Sequence, residues 1–553
     1  MQQKVIICPL CGDEVEKLIY RFHLNGEKHI LGQIRNEHPG WTEGDGLCSR
    51  CVDYYHTNII LEQRVLPAIG PHFPVKSVDD FIILPTAIRT NADQRFTGQN
   101  ITICLIDSGF YLHPDLTQES NRIKKVIDIT DSSLTEENFR SSTDESWHGT
   151  MTSVVCAGNG FLSKGLYRGI ASKAELVLIK IQDEKGHITE SNLEKALSWI
   201  LEHHRLFNIR IVNISLGAGE VSSVKESKIA QLALQLHDAG IVVIAAVGND
   251  QQAQIKPPAN TPTVISVGGL DDRNDIEGTN IDLYHSSFGM TADAFMKPEL
   301  LAPAIWIAAP ILPGSKEQKE AQALYDLLQH SDETLIEAIG LAIDNSQLDQ
   351  SLRNSGEPET IREAIRKRIQ TTKYISPHYM HVDGTSFAAP IVSSIVAQLL
   401  EVNPDLTPSM IRNLLFSTAK RFENLAVERQ GFGVINPRKA ILKLLRTFAT
   451  LPAISGPEIN KGQRTISFSL QHDYATQIAL SGSFNDWDKD SLLLEPDLDG
   501  VWKIEIPLLA IGKYKYKFFV DDKEWIEDIN NPYREPDGFN GFNSILIVED
   551  CKA

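Results

Sequence analysis

Hydrophobic residues between about residues 81 and 450 alternate between two kinds of spacing. Uninterrupted apolar, β-branched runs predict buried strands at 101–107, 174–181, 209–214 and 241–247. Apolar residues three or four positions apart predict helices between them, at 191–203 and 225–239. Strand, helix and strand in this order imply a parallel sheet with helices on both faces, an α/β fold.

The spacing changes to a period of two in the C-terminal segment, residues 459–550. Ile466, Phe468 and Leu470 alternate with polar residues, and aromatic residues alternate with lysines from Lys513 to Phe518. Short alternating runs separated by turns are typical of an antiparallel β-sandwich. This segment therefore predicts a second domain of a different class.

Composition and charge exclude some partners. The chain has 553 residues, 42% hydrophobic and 23% charged, which suits three or four globular domains. A formal net charge of −19 argues against nucleic acid and anionic membranes as partners, since both attract basic surfaces. We expect no apolar run long enough to cross a bilayer, and the N-terminus lacks the pattern of a signal peptide, so we expect a cytoplasmic location.

Two CxxC pairs, Cys8 with Cys11 and Cys48 with Cys51, lie in the N-terminal segment, residues 1–58. Four thiolates satisfy the tetrahedral preference of zinc, and the spacing predicts one structural Zn²⁺ bound by four cysteines. The segment resembles a zinc ribbon. The alternative is a pair of reduced thiol turns without metal. Residues 59–84 are then a linker.

The stretch around Ser386 is the strongest candidate for chemistry. Gly384 and Thr385 precede this serine, and a long uncharged run follows it, which predicts a buried helix that begins at the serine. We expect Pro390 to lie in the first turn, where the N–H has no intrahelical partner. A hydroxyl at a helix N-terminus lies near free N–H groups, which favour an alkoxide and an oxyanion. Taken alone, Ser386 could equally be an ordinary helix cap.

Three further polar residues could complete a site with this serine. Asp107 ends a predicted buried strand, His148 precedes an apolar helix, and Asn249 follows another buried strand. Separately, each could be an ordinary turn or helix-entry residue. Together they supply a nucleophile, a base, an acid that orients the base and an amide donor for an oxyanion.

The motifs that contain these residues resemble the signatures of subtilisin-like serine proteases. They are Asp107-Ser108-Gly109, His148-Gly149-Thr150, Ala246-Val247-Gly248-Asn249 and Gly384-Thr385-Ser386-Phe387-Ala388-Ala389-Pro390, in the family's order. The resemblance implies a subtilisin-like domain at 85–450, in which Asp107 orients His148, His148 deprotonates Ser386, and Asn249 stabilises the oxyanion. It also implies that Ser215, Leu216 and Gly217 line the cleft and pair with an extended substrate.

Compared with that family, the chain carries an insertion at about residues 312–378. Its apolar spacing predicts helices at 316–329, 334–343 and 360–370. Because the insertion leaves and re-enters near the predicted cleft, it is either a lid or docking arm, or an inert decoration of the kind that folds tolerate.

The C-terminal segment resembles glycogen-binding modules, including that of the AMP-activated kinase regulatory subunit. The resemblance rests on 481–487, on 514–521 and on Trp525. It implies that Trp487 and Trp525 stack on glucose rings while Lys517 and Asn543 bind hydroxyls. The alternative is a sandwich that only packs on the protease domain, with both tryptophans buried.

The leading hypothesis is a serine endopeptidase that acts on protein or peptide substrates and has an α-glucan such as glycogen as a partner. The contrasting hypothesis is a non-enzymatic glucan-binding scaffold with an inert protease domain. Cys104 and Cys156 lie close to the predicted acid and base. Free cysteines in such positions are more often small buried hydrophobic residues than reactive thiols.

Overall fold

The structure is a computed structural model that describes residues 34–35, 38–41, 83–217, 220–275, 281–446, 455–472, 475–497 and 500–549. Cys8, Cys11, Cys48 and Cys51 lie outside the described residues, as does most of the predicted linker. The zinc site therefore stays a prediction.

Within the described part of the chain, eight strands form one central sheet in the order β10-β6-β5-β4-β1-β3-β2, with β7 paired to β6. The strands are β1 (Thr102–Asp107), β2 (Ile123–Asp128), β3 (Glu175–Lys180), β4 (Ile209–Ile214), β5 (Val242–Ala246), β6 (Ile265–Asp271), β7 (Asp282–Leu283) and β10 (Leu300–Pro303). All pairs are parallel except β6 with β7. The four strands predicted from uninterrupted apolar runs, β1, β3, β4 and β5, are confirmed.

Helices pack on both faces of this sheet because its central strands are buried on both sides. In β1 all six residues are buried, and its side chains alternate between two separate hydrophobic cores. The helices are α1 (Thr86–Arg89), α2 (Pro114–Thr117), α3 (Trp147–Ala157), α4 (Glu190–Phe207), α5 (Lys228–Asp238), α6 (Lys316–Leu328), α7 (Asp332–Ser346), α8 (Pro358–Thr372), α9 (Thr385–Val402), α10 (Pro408–Thr418), α11 (Val427–Gln430) and α12 (Pro437–Arg446). Short 3₁₀ turns occupy Glu136–Arg140, Asp144–Ser146, Phe161–Ser163 and Gln350–Asn354.

Helix α9 is the core of one of these layers. Among the described helices it alone is long and apolar enough to cross a membrane, with a mean hydropathy of 1.4 over 18 residues, and 83% of that stretch is buried inside the fold. By length and composition, therefore, the expectation that no apolar run could span a bilayer is wrong. The burial marks α9 as a core helix.

The predicted insertion forms a helical unit with its own core. Helices α6, α7 and α8 lie at the predicted positions and surround a cluster that includes Leu324, Ile339 and Ile365. The unit is attached through the antiparallel pair β11 (Ile307–Pro310) and β13 (Tyr379–Val382), with β12 (Tyr374–Ser376) beside β13. Since β13 runs directly into α9, the chain returns from the insertion to the residues that precede Ser386.

The C-terminal region consists of two antiparallel sheets around a separate hydrophobic core. One sheet contains β14 (Glu458–Asn460), β15 (Thr465–Gln471), β17 (Glu495–Pro496) and β18 (Val501–Pro507). The other contains β16 (Ile478–Gly482), β19 (Gly512–Val520), β20 (Glu524–Ile526), β21 (Arg534–Pro536) and β22 (Phe542–Val548). A small hairpin of β8 (Gly289–Met290) and β9 (Met296–Lys297) belongs to the central domain. The alternation predicted for β15 is confirmed, since every second side chain is buried.

Arg534 docks the C-terminal sandwich onto the central domain. Its Nη2 donates to the carbonyl oxygens of Met296 at 3.3 Å and Pro298 at 3.4 Å. Its guanidinium carbon lies 4.0 Å from the centroid of the Phe432 ring. Because this side chain is buried, the two domains share an interface with a charged group at its centre.

Candidate active site and carbohydrate groove

Asp107 and His148 form a buried pair at the carboxyl edge of the sheet. Asp107 is the last residue of β1, and His148 is the second residue of α3. Nδ1 of His148 lies 2.7 Å from Oδ1 of Asp107, and Oδ2 accepts from Thr152 Oγ1 at 3.0 Å. The close packing depends on Gly149, where a Cβ atom would lie 2.1 Å from the Gly109 carbonyl oxygen. The carboxylate is therefore held in one orientation and fixes the imidazole.

The pKa of His148 reflects two opposing effects. Burial lowers it, while the negative charge of Asp107 and the hydrogen bond to it raise it, and the sum is a pKa above the usual value of His. A raised pKa favours uptake of a proton by the imidazole, which is what a general base requires. The imidazole edge is still 21% exposed, so it can reach a substrate.

Asn249 lies beside the turn that presents Ser386. Its Oδ1 accepts from the backbone N–H of Thr385 at 2.8 Å and from the Thr385 hydroxyl at 2.9 Å. Because both bonds use the amide oxygen, the NH₂ group of Asn249 takes no part in them and is a candidate donor for an oxyanion. Gly384 makes the turn possible, since its φ of +142° is one that side chains disfavour.

Ser386 is the second residue of α9 and forms a reciprocal pair with Ser215. Its hydroxyl donates to the Ser215 carbonyl at 2.9 Å, and the Ser215 hydroxyl donates to the Ser386 carbonyl at 2.9 Å. The backbone N–H of Ser386 lies in the first turn, where helix geometry provides no acceptor. It is therefore a second candidate donor for an oxyanion.

Pro390 is not in the first turn, and that expectation is wrong. It is the sixth residue of α9 and lies four residues after Ser386. In a regular helix the N–H at this position would donate to the Ser386 carbonyl. Proline has no N–H, so this carbonyl would lose its partner. The Ser215 hydroxyl takes the place of the missing donor.

The predicted triad residues meet at one edge of the sheet, with the Ser386 hydroxyl turned towards Ser215. The His148 ring centroid is 5.8 Å from that of Phe387, the residue after the serine. Within the described residues, Nε2 of His148 makes no hydrogen bond, so its lone pair is available. Catalytic hydrogen bonds often form only when substrate binds.

The predicted substrate edge starts next to Ser386. Ser215 contacts this serine directly. Leu216 is partly buried and packs against the hydrophobic core that contains Cys104 and Ile106 of β1, and a Cβ on Gly217 would meet only ordinary contacts. These positions suit a strand that remains open for pairing. That a substrate pairs here stays a prediction.

The four predicted carbohydrate residues line one groove of 530 Å³ on the C-terminal sandwich. Trp487 and Trp525 meet edge to face, with ring centroids 5.9 Å apart and planes at 76°. Trp525 is 38% exposed, so the alternative in which both tryptophans are buried does not hold. Lys517 lies in the same groove and pairs with Asp537.

Trp487 has an unusual backbone conformation. Its φ is +60°, and that of the preceding Asp486 is +54°. The turn is held by Asn485, whose Oδ1 accepts from Gly482 N at 2.8 Å, and by the bond from Trp487 N to Gly482 O at 2.9 Å. A bulky residue in the left-handed region costs about 1–3 kcal/mol and often marks a functional position. The strain directs the indole into the groove.

Sequence reasoning missed several residues at both sites. Thr152 lies four positions after His148, and this helical spacing could have indicated that it shares a face with the base. Phe539 is 90% exposed at the rim of the groove. Arg421 belongs to the central domain, so no local pattern could have placed it there.

Comparison with known proteins matches both regions of the chain. The profile of the Subtilase family matches residues 98–433. The profile described as the glycogen recognition site of AMP-activated protein kinase matches residues 466–553.

Several curated proteases are similar to the central domain. Serine protease AprX of Bacillus subtilis is 27% identical over 357 residues, which is 63% of this chain and 67% of that protein. A cuticle-degrading serine protease of Arthrobotrys oligospora is 26% identical over 210 residues, 36% of this chain, and the match spans less than half of that protein, 46%. Among solved structures, Sphericase overlaps with a TM-score of 0.43 and 21% identity, covering 61% of this chain and 92% of its own.

Proposed function

Because the chain belongs to the subtilase family of serine peptidases, we propose that it hydrolyses peptide bonds through a triad of Asp107, His148 and Ser386. The observation that carries the proposal is the 2.7 Å contact between His148 and a buried carboxylate, at the edge where α9 presents a serine. Asn249 and the Ser386 N–H are the proposed oxyanion donors.

The geometry suits acyl transfer in two steps. His148 Nε2 takes the proton of the Ser386 hydroxyl while Oγ bonds to the substrate carbonyl carbon, and the carbonyl oxygen becomes an oxyanion. The imidazolium, stabilised by Asp107, then gives the proton to the leaving amine as the C–N bond breaks. Water repeats the sequence on the acyl-enzyme and releases the acid product and free Ser386.

We also propose that the C-terminal sandwich binds an α-glucan such as glycogen. Trp487, Trp525, Lys517 and Asn543 converge on one groove, with aromatic faces for the apolar C–H faces of glucose and polar groups for its hydroxyls. A tether of this kind raises the local concentration of the peptidase near glycogen-bound proteins.

A fluorophosphonate probe tests the peptidase proposal. We expect it to label wild-type protein at Ser386 and to leave Ser386→Ala unlabelled. If wild type is labelled no more than this control, also after removal of any cleaved inhibitory segment, the inert-scaffold alternative holds.

Co-sedimentation with glycogen tests the second proposal separately. We expect the full chain to pellet with glycogen and the double variant Trp487→Ala/Trp525→Ala to remain in solution. Binding that persists in the double variant would mean that the glucan surface lies elsewhere.

One structural zinc ion bound by Cys8, Cys11, Cys48 and Cys51 completes the proposal. Four thiolates leave no open position for water, so the metal would stabilise the segment without taking part in hydrolysis. Metal analysis of the purified chain should give one zinc per molecule, and Cys8→Ser/Cys48→Ser should abolish it. A metal content near zero in wild type would favour the metal-free thiol turns.

A further inference from the structure

One wall of the carbohydrate groove belongs to the peptidase domain. Arg421, which follows α10, lines the same groove as Trp487, Trp525, Lys517 and Asn543. This arginine is fixed from its own domain, since its Nε donates to the Gly431 carbonyl at 2.9 Å. The groove is therefore complete only when the two domains are docked.

Arg421 also forms an ion pair between the two domains beside the groove. It pairs with Glu527 of the sandwich, and its guanidinium carbon is 5.1 Å from the centroid of the Phe542 ring. The side chains of Arg421 and Glu527 are 22% and 12% exposed, so both remain accessible from the groove. A second pair, Lys517 with Asp537, lies in the same groove.

This arrangement matches the chemistry of a sugar chain. Glucose has vicinal hydroxyls that both donate and accept, and a guanidinium–carboxylate pair offers fixed donors beside fixed acceptors. The groove contains the Arg421–Glu527 pair, which joins the two domains, and the Lys517–Asp537 pair of the sandwich. Its two indole rings suit the apolar faces of the sugar. Arg421 has more donors than its contacts with Gly431 and Glu527 require.

We propose that the α-glucan site is shared between the two domains and that Arg421 of the peptidase domain binds sugar hydroxyls directly. The inference rests on the proposed glucan binding and extends it, because a ligand that contacts both domains stabilises their docked arrangement. Glucan then acts as a clamp on the peptidase domain as well as an anchor.

Calorimetric titration of the full chain with maltoheptaose, in the Ser386→Ala background, tests the shared site. Arg421→Lys keeps the charge but loses the planar set of donors, and we expect it to weaken binding at least tenfold. Lys420→Gln, a change at the exposed neighbouring residue outside the groove, should stay within twofold of wild type. Trp525→Ala should abolish binding.

The outcomes separate the two proposals. If Trp525→Ala abolishes binding while Arg421→Lys binds like wild type, the glucan site lies on the sandwich alone and the shared site is wrong. If wild type does not bind maltoheptaose, both fall. Glu527→Gln, which leaves the Arg421 contact with Gly431 in place, gives a second measurement should Arg421→Lys loosen the interface, and we expect at least a threefold loss.

The clamp has its own readout in the active enzyme. We expect saturating maltoheptaose to raise the temperature at which half the peptidase activity survives a short incubation, and the increase to disappear in Trp525→Ala. The same increase in both proteins would mean that the sugar acts as a general cosolvent, and no increase in wild type would show that the ligand does not couple the domains.

Discussion

Two effects of opposite sign act on the pKa of His148. Burial in the cleft favours the neutral ring, and the Asp107 carboxylate favours the charged one, with the result that the pKa lies above the usual value. In the proposed mechanism the neutral ring is the base, so activity should fall as the pH drops through this pKa. The acid limb of the kcat/KM profile then lies above about pH 6.5.

Substitution of Asp107 separates the two influences. In Asp107→Asn the attraction is lost while burial remains, so the pKa of His148 should fall below about 6.5 and the acid limb should move to lower pH. The plateau should drop by about 10⁴-fold because the ring is no longer held in the required tautomer. A kcat/KM profile with a small peptide substrate measures both. An unchanged acid limb would mean that Asp107 does not set this pKa.

Ser215 and Pro390 form a compensating pair around the Ser386 carbonyl. Ser215→Ala removes the only donor that replaces the missing helical N–H, which should cost about 1–3 kcal/mol of unfolding free energy. In a Pro390→Ala background the new N–H can donate to the same oxygen, so the penalty should shrink. Urea unfolding in the Ser386→Ala background, where autolysis cannot occur, measures this cycle. Equal penalties in both backgrounds would show that the two residues act independently.

Cys104 and Cys156 should be chemically silent in the folded protein. Both are fully buried, and burial raises the pKa of both thiols far above the ordinary value. Because the thiolate is the reactive form, iodoacetamide at pH 7.5 should leave them unmodified until the chain is unfolded. Peptide mapping resolves them from the other cysteines. Labelling of either residue in native protein would contradict this placement.

At the residue scale, the sequence was most informative where chemistry and position coincide. Asp107, His148 and Asn249 each stand at the end of a strand or the start of a helix, and parallel topology brings such ends together. The direction of the Ser386 hydroxyl could not be predicted, because it depends on Ser215, which is 171 positions away in the chain. The role of Pro390 depends on the same contact.

At the scale of the elements, Asp383 links the insertion to the turn that presents Ser386. The last helix of the insertion, α8, is followed by its C-cap residue Lys373, whose ammonium pairs with Asp383. Asp383 Oδ1 accepts from the Trp306 N–H at 3.2 Å. Asp383 directly precedes Gly384. The position of the insertion is thus linked to the turn that presents Ser386, whether or not the helices cover the cleft.

Two substitutions at Asp383 distinguish its contacts. Asp383→Asn keeps an acceptor for Trp306 but loses the pair with Lys373, which is partly exposed and worth less than about 1 kcal/mol. Its kcat should be within about twofold of wild type. Asp383→Ala also removes the acceptor, and we expect kcat to fall about tenfold with little change in KM, since misplacement of a reacting group acts on the chemical step. Equal kcat values for the two variants would show that the hydrogen bond from Trp306 to Asp383 does not position Ser386.

Helices in the insertion were predictable because their apolar spacing is regular over more than three turns. Their boundaries match within about two residues at most ends, as caps such as Ser315 and Ser331 suggest. What they pack against was not predictable. The insertion core is internal, and the pair of β11 and β13 connects it to the central domain.

On the scale of the whole molecule, Arg534 holds the domains together. Its removal leaves the Met296 and Pro298 carbonyls without this donor and takes away one buried cation near Glu527, which keeps its pair with Arg421. The loss should cost about 1–3 kcal/mol. We expect Arg534→Ala, in the Ser386→Ala background, to unfold in two calorimetric transitions, with the sandwich separated from the peptidase domain. A single transition at the wild-type temperature would show that the interface does not depend on this residue.

The interface is the part of the molecule that sequence patterns describe least. The hydrophobic pattern of each domain has its own period. Arg534 and Phe432 lie in different domains, however, and come into contact only in the folded chain. Charge counts give no hint of it either, since a buried arginine looks like a surface one in the sequence. The shared wall of the carbohydrate groove follows from this docking.

The angle between Trp487 and Trp525 bears on the shape of the sugar chain that the groove can accept. Two indole planes at 76° cannot both lie flat against a straight ribbon of sugars, so a β-1,4-linked chain can use only one of them. An α-1,4-linked chain turns at each linkage and can present successive rings to both. If the groove binds a glucan as proposed, we expect it to prefer starch-like over cellulose-like polymers, because the two differ in their bend although both are made of glucose.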